Sequence, residues 1–213
     1  MCHETLIAMS DFLDVIKQRR SVRKYTRQPV PIEVVSELLE TASYAPSAHN
    51  AQPWRFIVLT DPPQKNALAA VMAQVWLREL ERDHVPKNTR SARVNVSIER
   101  FTAAPVLVLA CLALEDMDAY PDAERQKNER DLAVQSLAAA IQTLLLAAYA
   151  KGLATCWYCA PLFCKAAVQK VLKIPADVEP QALITVGYAA ESRKALRRPI
   201  EEMAYRDFWG GKL

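Results

Sequence analysis

Apolar positions along this chain switch between helical and strand spacing, and the switches divide it into elements. Phe12, Leu13 and Ile16, with Asp11 as a cap, predict a short helix from Asp11 that ends near Arg19. After an Arg-Arg-Ser turn, Val22 to Tyr25 reads as extended, and Pro29 and Pro31 break the chain. Pro31 suits the first turn of a second helix, whose apolar face is Val34, Val35, Leu38, Leu39 and Ala42 and which Pro46 stops. Ser47 to Pro53 is polar and irregular, whereas Trp54 to Leu59 is rich in aromatic and β-branched residues and predicts a buried strand. A long helix is expected from about Gln64 to Arg82, then a polar loop from Asp83 to Asn95.

Further strands are predicted over Val106 to Leu112, Leu153 to Tyr158 and Ala182 to Tyr188, with an amphipathic helix over Phe163 to Leu172. The run Glu115 to Glu124 is acidic, contains proline and should be exposed. Asp131 to Ala150 is the most hydrophobic stretch, with the roughly 20-residue length of a membrane span. Gln135, Ser136, Gln142 and Thr143 interrupt it, so the expected element is a central helix buried on most of its circumference, in the core or across a subunit interface. The aromatic residues Tyr205, Phe208 and Trp209 in a terminal tail should pack on the chain's own core or wrap a partner subunit.

No strand is followed by GxGxxG, no P-loop occurs and no regular βαβ repeat is present, which disfavours a dinucleotide-binding Rossmann domain. The expected fold class is α+β, a three-layer α/β sandwich formed as one domain over residues 1–213, with its sheet covered by helices. A chain of 213 residues can bury a substantial core, and 51% hydrophobic with 24% charged residues is the balance of a folded protein. A formal charge of +3 is too close to neutral to imply a nucleic-acid partner. No secretory signal pattern opens the sequence, and five cysteines at irregular spacing fit a reducing cytoplasm better than a disulfide framework.

Two clusters carry candidate chemistry. Arg19, Arg20, Ser21 and Arg23 lie at a helix-to-strand transition, where guanidinium groups and a hydroxyl can bind phosphate oxygens; a solvated arginine turn has the same composition. Pro46 to Trp54 packs Ser47, His49, Asn50 and Gln52 just before a core strand, a placement that suits ligand recognition and equally suits a simple turn. A second basic group, Arg193, Lys194, Arg197 and Arg198, lies late in the chain. Cys156 and Cys159 have dithiol spacing, but they follow a strand and flank two bulky aromatics; no second paired motif supports zinc. Neither a metal nor a protein nucleophile is assigned.

The segments Arg19-Arg20-Ser21-Val22-Arg23 and Ala45 to Trp54, with Gly152 to Trp157 and Ile184 to Tyr188 in the same order, resemble the flavin-binding signature of the nitroreductase family. The resemblance implies a nitroreductase-like fold with a central, mostly antiparallel or mixed sheet. It also implies an FMN cofactor and a homodimer, with residues 199–213 wrapping the other subunit. Arg19, Ser21 and Arg23 would then contact FMN phosphate and ribityl oxygens, and Arg20 would approach the flavin through its backbone. Ser47, His49 and Asn50 would line the ring or ribityl side, in part from the facing subunit. Tyr158, Cys159 and Ala160 would pack beside the ring and offer backbone donors, and Arg197 or Arg198 would close over the phosphate.

The implied reaction is ping-pong hydride transfer from NADH or NADPH through flavin N5 to a nitroaromatic, quinone, enone or related acceptor. Ser47 to Asn50, Cys156-Trp157 and Glu179-Pro180 also resemble the nitroreductase-type domain of coenzyme F420 biosynthesis, which would make the acceptor a dedicated metabolite. A flavin-binding regulator with little turnover and a flavin-consuming enzyme are further expectations on the same fold.

Overall fold

The computed structural model describes residues 9–213, with side chains from Phe12 onward; the cap expected of Asp11 and the Cys2 thiol lie outside the described residues. Helix α1 (Met9–Gln18) leads through an extended segment to α2 (Ile32–Ser43), and β1 (Trp54–Leu59) follows. Next come α3 (Pro62–Arg82), α4 (Lys87–Thr102), β2 (Val106–Leu112) and α5 (Ala123–Ala150). The chain ends with β3 (Ala154–Tyr158), α6 (Lys165–Leu172), β4 (Glu179–Gly187) and a tail containing one short 3₁₀ turn.

The four strands form an antiparallel sheet in the order β1-β2-β4-β3, and Ser21 adds a parallel bridge to Thr155 on the outer side of β3. Side chains alternate across a strand, so β2, buried throughout, feeds two cores. Val106, Val108, Ala110 and Leu112 join α2 and α5 on one face, while Leu107, Leu109 and Cys111 join α3 and α6 on the other. The result is the expected helix–sheet–helix sandwich. Gly187 permits a close crossing at the end of β4, because a Cβ there would meet Pro105 Cδ at 2.7 Å and Tyr25 Cδ1 at 2.9 Å. Tyr25 locks that crossing by bonding the Val22 carbonyl at 2.6 Å and Thr185 Oγ1 at 2.5 Å.

Three expectations change. The polar stretch Asp83 to Asn95 is not a loop: most of it belongs to α4, which starts after Pro86 and packs Val94, Ile98 and Phe101 toward α3. Spacing of four and three residues makes one narrow apolar stripe on an otherwise polar helix, and that stripe is visible only when the reading continues past Asn95. The central helix begins two turns earlier than Asp131 and buries one stripe, from Glu129 and Ala133 through Leu144 to Ala148, while Leu132 and Gln142 are exposed. It alone among the described helices has the length and apolar character of a membrane span, yet that stripe packs on the sheet and α2. Finally, among the described residues the tail aromatics do not pack into the core: Phe208 is 72% and Trp209 87% exposed, and Trp209 lies against Tyr205.

Candidate functional site

The arginine segment and β3 form the first half of the site. Val22 donates its N–H to the Thr155 carbonyl at 3.0 Å, which holds residues 19–23 along the outer edge of β3. Alternation then splits the segment. Arg20 and Val22 face a cavity of about 620 Å³ beside Tyr149 and Leu153, whereas the charges of Arg19 and Arg23 act on the opposite side, at Cys156 and Tyr158. Arg23 is fixed through its backbone N–H, which donates to Glu191 Oε1 at 2.8 Å.

The charge of Arg197, from the tail, acts on Arg19, as does that of the neighbouring Arg20. Burial, reinforced by the Arg197 and Arg20 charges, holds the Arg19 guanidinium below the usual arginine range. The Nε atoms of Arg19 and Arg20 are buried without a hydrogen-bond partner among the described residues. Crowded cations with donors to spare disfavour the free chain and fit a multiply charged oxyanion. Arg198 is exposed.

At the far end of β3, Tyr158 packs edge-on against Phe101 with ring centroids 5.1 Å apart, Cys159 is exposed, and Ala160 opens a 3₁₀ turn. Burial and the neighbouring Cys156 thiol push the Tyr158 hydroxyl up, and that hydroxyl also lacks a partner among the described residues. Tyr158 and Ala160 line a second cavity of about 530 Å³ with Trp76, Phe101, Arg100 and Phe163. The larger cavity touches the arginine segment only through Arg20 and Val22. The smaller, on the Tyr158 side, is the better continuation of the Arg19 and Arg23 face. Cys156 is buried within β3; burial raises the Cys164 thiol to about 11, unlike an activated thiolate.

The second half of the site, Ser47 to Gln52, precedes β1. His49, Asn50 and Gln52 all have positive φ, at 56°, 54° and 47°, within a single 3₁₀ turn and its exit. Such conformations are unfavourable for residues with a Cβ and persist where surrounding contacts hold them. Here Ser47 Oγ accepts the Gln52 N–H at 3.1 Å, and Ser136 Oγ of α5 accepts the Ala48 N–H at 3.1 Å. His49 Nε2 lies 3.1 Å from the carboxylate of buried Glu129, also on α5, and 3.9 Å from Asp118.

Sequence reasoning missed Glu129, Glu191 and Thr155, and took Ser136 only as a polar interruption. For Glu129 the signal was an acidic residue at the head of the longest apolar helix, lost when that helix was started at Asp131.

These halves lie far apart within one chain. The loop enters β1 beside Leu112 at one corner of the sheet, and Ser21 pairs with Thr155 at the opposite edge and opposite end. Four strand spacings, from β1 to Ser21, put about 19 Å between them laterally and six residues add about 20 Å along the strands.

Comparison with known proteins adds the following. The nitroreductase family model matches residues 16–188. An iodotyrosine deiodinase from Haliscomenobacter hydrossis is 28% identical over 201 residues, covering 88% of this chain and 83% of that protein. A Desulfovibrio desulfuricans protein solved in complex with FMN is 29% identical, with a TM-score of 0.71 and coverage of 92% of this chain and 96% of that one. A BluB-like flavoprotein from Clostridium difficile is 27% identical, with a TM-score of 0.74 and coverage of 90% and 96%.

Proposed function

The chain belongs to the nitroreductase family, and we propose that it is an FMN-dependent oxidoreductase that works in the cytoplasm as a homodimer, reducing a small-molecule acceptor with electrons from NADH or NADPH. The observation that carries this reading is the pair of buried, unpartnered Nε donors of Arg19 and Arg20, with the Arg197 charge acting on Arg19, beside Ser21 at the edge of β3. FMN, when bound, supplies two-electron chemistry at N5: NAD(P)H gives up a hydride and is oxidised, and the acceptor takes two electrons and protons and is reduced.

The chain's own residues bind and orient. Arg19, Ser21 and Arg197 hold the phosphate, Arg23 reaches the ribityl side, and Arg20 contributes through its backbone. Tyr158, Cys159 and Ala160 border the ring, and the Trp76, Phe101 and Phe163 walls of the adjoining cavity, rimmed by Glu79, Asp83, Arg93 and Arg100, offer a planar acceptor an apolar surface. Ser47, His49 and Asn50 serve the ring from the facing subunit. Their distance from Ser21 within one chain favours that division, and the exposed Phe208 and Trp209 offer the tail surface that would wrap the partner.

The dedicated F420-related acceptor loses one support. Glu179 lies 2.7 Å from Arg130 and 2.5 Å from Lys165, so its charge serves the packing of α5, α6 and β4. Absorbance of the purified protein, followed by anaerobic titration with NADH and NADPH, tests the central claim. Stoichiometric flavin that bleaches with either donor is expected; a colourless protein unable to take up FMN would overturn it. Bound flavin that neither donor reduces would instead identify a regulator. Turnover with menadione, a nitroaromatic, an enone, 3-iodotyrosine and an F420-related compound then reads the acceptor class.

A further inference from the structure

Glu129 is 3% exposed, its stripe on α5 is otherwise almost wholly apolar, and a buried carboxylate is unfavourable unless hydrogen-bonded. Among the described residues its oxygens meet two groups: His49 Nε2 at 3.1 Å and the Asp118 N–H at 3.1 Å. Neither contact improves the packing of α5, and both restrain irregular chain beside it. Ser136, seven residues later and so on the same face, holds the preceding residue of the same loop through the Ala48 N–H. Two polar groups, two turns apart on an apolar helix, thus meet consecutive loop residues just where φ turns positive. The loop residue that follows is Asn50.

We propose that Glu129 is a positioning residue for cofactor binding: through His49 it fixes the left-handed backbone at His49 and Asn50 and so presents Asn50 to the flavin. This rests on the reading that the loop serves FMN. Ser136 sets the height of the loop over α5, and Glu129 sets its twist.

The test measures FMN affinity by fluorescence quenching, and the visible circular dichroism of bound flavin, in the full-length protein. Glu129→Ala is expected to weaken binding about tenfold, in line with loss of the close His49 contact and of the hydrogen bond that the Asp118 N–H donates to the carboxylate, and to change the dichroism. Glu129→Gln, which keeps the volume and an acceptor oxygen, should recover most of the loss. On a His49→Ala background, Glu129→Ala should change nothing further, because its effect passes through the ring. Should Glu129→Ala not fold, Glu129→Gln and His49→Ala, compared with the double variant, carry the test. Wild-type affinity and dichroism in His49→Ala, or additive losses in the double variant, would overturn the proposal and leave FMN binding intact. A wild-type protein that takes up no FMN would overturn both. Affinity that collapses with EDTA and returns with Mn²⁺ or Zn²⁺ would overturn it too, by making His49, Asp118 and Glu129 metal ligands; unchanged affinity supports the direct His49–Glu129 contact.

Discussion

The arginine edge and the loop before β1 are prepared for a ligand in opposite ways. At the edge, the backbone is ordinary extended chain and the stored cost is electrostatic: the Arg197 and Arg20 charges act on Arg19, and the Nε donors of Arg19 and Arg20 are unmet. In the loop, the polar groups are met and the stored cost is conformational, with three residues at positive φ held by Ser47, Ser136 and Glu129. A ligand relieves the first kind of cost and inherits the second. The edge should therefore govern affinity and salt dependence, and the loop should govern geometry.

The largest effect that would break this contrast is at Arg19. Arg19→Ala is expected to weaken FMN binding about thirtyfold, the range of a charge-assisted hydrogen bond, while the melting temperature of the flavin-free protein holds or rises because like charges are relieved. Calorimetric titration at two salt concentrations, paired with thermal melts, checks both halves; a fall in flavin-free stability without loss of affinity would make Arg19 structural.

Next comes acid. The Arg130 and Lys165 cations hold Glu179 at about 2, well below the usual carboxylate value, so its contribution to stability is full above about pH 4.5 and is lost as pH falls toward 2. Because Arg130 adjoins Glu129, hydrogen exchange measured down this range should show the first turns of α5 and the loop opening before the β3 edge. In Glu179→Gln that order should disappear.

Arg197→Ala should weaken FMN about tenfold and Arg198→Ala less than about twofold, since only Arg197 reaches the Arg19 cluster. Equal losses would show that the tail is rearranged by the ligand. The smallest change is expected for Ser136→Ala. It frees one backbone N–H and should reduce affinity about fivefold, with the salt dependence of binding unchanged. A steeper salt dependence would dissolve the distinction between edge and loop.

Most elements were legible because period-2 and period-3.6 patterns follow from local backbone geometry. β1 and β2 are read to the residue, and the two-faced burial of β2 follows from its unbroken apolar run. α4 was hidden because its apolar stripe is only Val94, Ile98 and Phe101 on a polar surface, so tertiary contact with α3 decides what composition leaves open. The arginines and the Ser47 to Asn50 loop stood out as dense polar groups at element boundaries. Glu129 did not, because a single acidic residue acquires meaning only from what faces it.

By itself, the sequence determined the sandwich, the family and the two polar clusters, since hydrophobic period and local residue chemistry are properties of neighbouring positions. Only the tertiary structure decided that the clusters stand at opposite corners of one sheet, that Arg197 rather than Arg198 joins Arg19, and that α5 tethers the loop. Those are relations between residues about 25 to 180 positions apart, set by strand order and by which helix face turns inward, and no short-range pattern records them.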